Sequence, residues 1–208
     1  NIVYTADDVS YFGDVSFSAD GSRVYHVSGE LPNDIDVYDL SATPAQVNSL
    51  PIDTGTPYHV EAIPGTSRLF LNLRVNAQMF VMAVYDIATD SIIFTDDRHL
   101  DLPFDAVSKH DGSHVYYSIS PSTVVEYDVT NNTISREIST ESAFGVIPTS
   151  FVARSVEITP DDRLLLLQSD SQGIDAGVLT FDLLADRFIG FQYLPWGVGR
   201  MTVQHGVR

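Results

Sequence analysis

The chain contains no cysteine. A disulfide framework is therefore excluded, and so is any thiolate nucleophile or metal ligand. Positive charge is nearly as scarce. Eleven basic residues, of which only Lys109 is a lysine, face 28 acidic ones, for a net charge of -17. So little basic surface cannot neutralise phosphates, which excludes nucleic acid as a partner and anionic lipid as a docking surface. No apolar run approaches the roughly 18 residues that a membrane-inserted helix needs. A paired cysteine cluster, a Gly-x-Ser-x-Gly elbow and a phosphate-binding glycine loop are all missing. An acidic, cysteine-free chain rich in Asn, Ser and Thr fits an extracellular or periplasmic setting. It opens on Asn1 rather than Met, which reads as a removed signal peptide or an excised piece.

What is present is a repeat. Hydrophobic residues make up 44% of the chain, enough for a sizeable core, and they come in short alternating runs. Val15 to Val27 reads as strand, Asp20-Gly21 turn, strand. The same shape recurs at Pro64-Gly65, Asp111-Gly112, Asp161-Asp162 and His205-Gly206. The anchors Gly21, Gly65, Gly112, Asp162 and Gly206 are spaced 44 to 50 residues apart. Between anchors lies an aromatic strand that ends in aspartate: Tyr38-Asp39, Tyr85-Asp86, Tyr127-Asp128 and Phe181-Asp182. A polar turn and another strand follow each. Asp20-Gly21 predicts a two-residue hairpin with positive φ angles, and the aspartates Asp39, Asp86, Asp128 and Asp182 are expected to accept backbone hydrogen bonds in the turns after them.

Four short strands in about 45 residues is the content of a propeller blade. The expected fold is all-β: a β-propeller of four-stranded antiparallel blades, four nearly complete and one partial. The blades run over 14–52, 58–103, 104–140 and 151–195, with a partial blade joining 199–208 to 1–6. The segments Phe17 to Val27 with Ile35 to Leu40, and Val115 to Tyr117 with Val124 to Ile138, resemble the YVTN and lactonase-like repeat propellers. That resemblance implies a fold far more sharply than an activity, because such repeats serve in surface proteins, binding scaffolds, lactonases and dehydrogenase subunits alike. Propellers of this repeat type usually carry more blades. The chain is then a fragment of a larger propeller, or is completed by a second chain, or closes on its own ends.

In a propeller the first strand of each blade lines the central channel, and its first residues face the mouth. Stepping back from the anchors gives Asp14, His59, Asp105, Ser155 and Arg200, all polar. They are the candidate ligand-binding residues for a small molecule or a protein ligand. Asp14 and Asp105 are the candidate metal ligands, and oxygen donors alone favour a hard ion such as Ca2+. The competing reading has these side chains capping strand ends or binding backbone N–H groups of the neighbouring blade. Glu61 and Glu157 lie two residues further along and share a face with His59 and Ser155. A carboxylate beside a histidine can work as a general base, so His59, Glu61 and Glu157 are the catalytic candidates.

Three functions fit. The first is a secreted or surface propeller that binds a ligand or protein. The second is a lactonase-like hydrolase with a metal or His/Glu site at the mouth, in which His59, Asp105 and Glu61 or Glu157 converge. The third is a propeller subunit of a redox assembly.

Overall fold

The computed structural model describes residues 13–29, 31, 33–42, 46–76, 79–100, 105–120, 122–142, 153–169 and 177–194. These form four antiparallel sheets of four strands each, every strand paired to the next in sequence. Blade 1 is β1 (Asp14–Phe17), β2 (Arg23–Val27), β3 (Asp34–Asp39) and β4 (Gln46–Pro51). Blade 2 is β5 (Thr56–Ala62), β6 (Arg68–Asn76), β7 (Met79–Asp86) and β8 (Ser91–Leu100). Blade 3 is β9 (Ala106–Ser108), β10 (His114–Ser120), β11 (Thr123–Asp128) and β12 (Thr133–Ser139). Blade 4 is β13 (Ala153–Ile158), β14 (Leu164–Ser169), β15 (Gly177–Asp182) and β16 (Arg187–Tyr193). These are β-propeller blades, as the repeat implies. The partial blade over 199–208 and 1–6 lies outside the described residues. Among the described residues no helix is long and apolar enough to cross a membrane.

The first hairpin of each blade differs in detail from the expected two-residue turn. Ser18 N–H donates to Arg23 O, and Gly21 N–H to Ser18 O, so four residues lie inside the loop. Only Gly21 has positive φ, at 68°. Asp20 keeps an ordinary backbone because its carboxylate is engaged within the turn, where it accepts the Ser22 N–H and the Ser18 and Ser22 hydroxyls. Blades 3 and 4 repeat this turn, with positive φ at Gly112 (69°) and Asp162 (56°). Blade 2 shifts the positive φ one place earlier, to Gly65 (69°), because Pro64-Gly65 fits a type II turn.

The second hairpin follows the aspartate-ended strands. Asp39, Asp86, Asp128 and Asp182 each accept a backbone N–H from the next turn, as expected. The last turn residue is Asp90, Asn132 or Asp186 in blades 2 to 4, each near φ 52–54°. The Tyr85 hydroxyl donates to Asp90, and the Tyr127 hydroxyl to Asn132. Burial, then the Asp90 bond, pushes the Tyr85 phenol up to about 12. Tyr85→Phe and Tyr127→Phe should each cost about 1 kcal/mol, the value of one such hydrogen bond. Urea denaturation checks this. Two variants as stable as the parent would remove the hydroxyl from any structural role.

The chain divides into two compact units, Asn1–Pro103 and Phe104–Arg208, each holding two blades. In the first, Tyr25, Val27, Ile35 and Val37 of blade 1 pack with Val60, Leu69, Leu71, Leu73, Val81, Ala83 and Tyr85 of blade 2. The period of two in Leu69, Leu71 and Leu73 puts all three on the face turned to blade 1. Each, buried to 1% exposure or less, contributes about 2 kcal/mol. In the second unit Tyr116, Val124 and Ile138 of blade 3 meet Val156, Ile158, Leu165, Leu167, Leu179 and Phe181 of blade 4.

Candidate functional site

Within each unit, the first strands of the two blades meet side by side: β1 with β5, and β9 with β13. Each is a sheet edge, with backbone N–H groups that its own blade does not use. The side chains at the start of β1 supply the missing acceptors. Asp14 Oδ2 accepts the Val60 N–H at 3.2 Å, and Ser16 Oγ accepts the Ala62 N–H at 2.9 Å. Asp14 Oδ2 also lies 2.7 Å from His59 Nδ1, with both side chains about nine-tenths buried. The Ser16 hydroxyl reaches Glu61 Oε2 at 3.3 Å. In the second unit Asp105 takes the place of Asp14, and its Oδ2 accepts the Ser155 hydroxyl at 3.0 Å, both residues buried. Val107 stands where Ser16 stands, so the second contact has no counterpart.

Four of the five sequence candidates therefore fall into two pairs. Asp14 meets His59 with Glu61 beside it, and Asp105 meets Ser155. Glu157, half-buried on β13, is the counterpart of Glu61. The fifth, Arg200, lies outside the described residues. The pattern has a period of two blades: aspartate starts the first blade of each unit, a donor starts the second, and glutamate follows two residues on. Asp14 and Asp105 belong to different units, and each turns to its own neighbour. Among the described residues no three His, Asp or Glu side chains gather as a metal site would require.

Other sequence features resolve into local roles. Asn33 Oδ1 accepts the Thr56 hydroxyl, Asp34 accepts the Ser49 hydroxyl, and Asp36 lies 3.5 Å from the buried His26. His110 donates its backbone N–H to Asp162 Oδ1, and its Nδ1 lies 2.6 Å from the same oxygen. That bond explains why an aspartate occupies the fourth anchor where two of the others carry glycine in the same turn. It staples the blade 3 hairpin to the blade 4 hairpin.

Two groups lie beyond the reach of the sequence reading. The first is an ion cluster. Glu126, 8% exposed on β11, accepts Arg136 Nε at 2.6 Å and the Ser135 hydroxyl at 2.9 Å. Arg136 also pairs with Asp186 in the blade 4 turn, and its guanidinium sits 5.6 Å from the Phe181 ring. Burial works against ionising Glu126, but the bonds from Ser135 and Arg136 outweigh it and hold the carboxyl below its ordinary range. Desolvation opposes the charge on Arg136, and its bond to Glu126 outweighs that, raising the guanidinium further. The second group is a set of buried polar side chains on the second strands: Asn72, Ser118 and Gln168. Each interrupts or ends an apolar run, Leu69 to Leu73, Val115 to Ile119 and Leu164 to Gln168, and that break is the available signal.

The four blades and their paired edges define a β-propeller-type chain. No protein-family profile matches the sequence. No curated protein matches it either. Among solved structures, Kuenenia stuttgartiensis hydrazine synthase superposes with a TM-score of 0.71 at 18% identity, covering 92% of this chain and 51% of that one. The chain thus spans about half the length of that structure. Solved chains with a comparable fold number 1149, so the likeness carries architecture and not activity.

Proposed function

We propose that the chain is an extracellular or periplasmic binding module, taking a small molecule or a protein ligand at the first-strand edges of its blades. The observation that carries this reading is the pairing of Asp14 with His59 and of Asp105 with Ser155. Each pair fixes a buried carboxylate in one orientation. Rigid, desolvated acceptors of this kind suit recognition of hydroxyl or amine groups. Thermal melting with a panel of sugars, amines and peptides tests it. A ligand near 100 times its Kd should stabilise the protein by about 2.7 kcal/mol. His59→Ala should lose that shift in the first unit, and Asp105→Asn in the second, with folding intact. A ligand that stabilises all three proteins equally would place the binding site elsewhere.

The Asp14–His59 contact also favours a second reading, a lactonase-like hydrolase. A carboxylate at 2.7 Å from Nδ1 orients an imidazole as general-base catalysis requires. Lactone hydrolysis that disappears in both Asp14→Asn and His59→Ala would replace the binding reading with this one. Calcium content of the purified protein separates metal-dependent forms of either.

A further inference from the structure

The registers of blade 2 line up one residue from each strand: His59 opposite Asn72, Asn72 opposite Met82, and Met82 opposite Asp96. Directly opposed residues project to the same face of a sheet with Cβ atoms about 5 Å apart. This row is buried from end to end, with exposures of 6%, 0%, 0% and 6%. Its outer carboxylate is answered by Arg98, whose Nε and Nη2 reach the two oxygens of Asp96 at 2.7 and 2.6 Å. Its inner imidazole meets Asp14. Asn72, between them, has a hydrogen-bond partner at neither Oδ1 nor Nδ2.

Ser118 repeats the situation in blade 3. Tyr117 is opposite Ala106, so Ser118 is level with Asp105, as Asn72 is level with His59. Ser118 is 0% exposed, and its Oγ likewise has no partner. In blade 1 the same position is Val27, opposite Asp14, with no polar atom to satisfy. Buried polar atoms without partners are rare in native proteins, and two at one structural position in successive blades call for a common cause.

We propose that Asn72 and Ser118 each bind an internal water molecule on the second strand of the blade, level with the residue that opens the first strand. The guest must be small, because the amide and hydroxyl are sealed from bulk solvent. It must also donate and accept, because Asn72 offers an N–H donor and a carbonyl acceptor side by side. A cation could engage the carbonyl oxygen but could not accept from the N–H. Buried water typically makes about three hydrogen bonds and satisfies groups of this kind. Asn72 and Ser118 adjoin His59 and Asp105, but their own burial creates the need for water and requires no ligand at the first-strand edge.

A high-resolution crystal structure of the full chain tests this, together with water relaxation dispersion on the same protein. Solvent density should appear about 2.7–3.2 Å from Asn72 Oδ1 or Nδ2 and from Ser118 Oγ. The long-lived water signal should drop by one molecule in Asn72→Leu and by one in Ser118→Ala. If Asn72→Leu does not fold, the parent density and Ser118→Ala decide alone. Dry packing around both side chains, or a water signal unchanged in the variants, overturns the proposal.

Discussion

Arg136→Met should lower stability by about 3 kcal/mol, while Asp186→Ala should cost less than about 1 kcal/mol. Arg136 serves both carboxylates, so the difference depends on their surroundings. The Asp186 side chain is 71% exposed, and water replaces a lost guanidinium there. The Glu126 side chain is 10% exposed and would be left as a buried charge. Breaking a buried pair from one side typically costs about 3–5 kcal/mol. The low end applies because the Arg136 side chain is itself 29% exposed and Ser135 still donates to Glu126. The methionine keeps much of the packing against Phe181, so the measured loss reports charge and not volume. The double variant Glu126→Gln/Arg136→Met should recover most of the loss, since no charge is then stranded. Urea denaturation of the parent, Glu126→Gln, Arg136→Met and the double variant gives the coupling directly. Equal, small losses for Arg136→Met and Asp186→Ala would mean that Glu126 is solvated and that the cluster does not hold the two blades together.

This cluster also shows where the sequence is legible and where it is not. The anchors Gly21, Gly65, Gly112 and Asp162 all take positive φ, because a hairpin that returns the chain on itself needs that backbone at a defined place. Local chemistry of this kind is written within a few residues, so blade number and strand order follow from it. Pairing across blades is not local. Glu126 and Asp186 meet through Arg136, and His110 meets Asp162, the cross-blade contacts spanning 50 or more residues. The repeat brings such residues to equivalent places without saying which will touch. It does so for the site as well. Asp14, His59, Asp105 and Ser155 stand out together as one polar set, but their division into two neighbouring pairs depends on the packing of β1 on β5 and of β9 on β13. The expected hairpin fails at Asp20 for a similar reason. Asp-Gly permits two turn types, and three hydrogen bonds to the Asp20 carboxylate select between them.

Those carboxylate-capped turns should make folding sensitive to acid. Asp20, Asp39, Asp86, Asp111, Asp128, Asp161 and Asp182 all have carboxyls held below the ordinary aspartate value of 3.8. For Asp20 the Ser22 backbone N–H, then the Ser18 and Ser22 hydroxyls, bring it to about 2. In each case the folded value lies below the unfolded one, so the unfolded chain binds more protons in the interval between them. Stability then rises with pH through that interval. The contribution is complete above the unfolded value and is lost as pH falls through the folded ones. Melting temperature should therefore stay level from about pH 7 to 5 and drop steeply between about pH 4 and 2. Self-repulsion works in the opposite direction, because protonation reduces the charge of -17. The two effects separate by range: repulsion between exposed charges is screened when the Debye length shrinks to about 8 Å at 0.15 M salt, whereas hydrogen bonds inside a turn are not. A triple variant, Asp20→Asn, Asp111→Asn and Asp161→Asn, keeps amide acceptors but cannot titrate, so its profile should flatten relative to the parent. A parent whose melting temperature rises or stays level from pH 4 to 2 in salt would show that the hairpin carboxylates are not linked to folding.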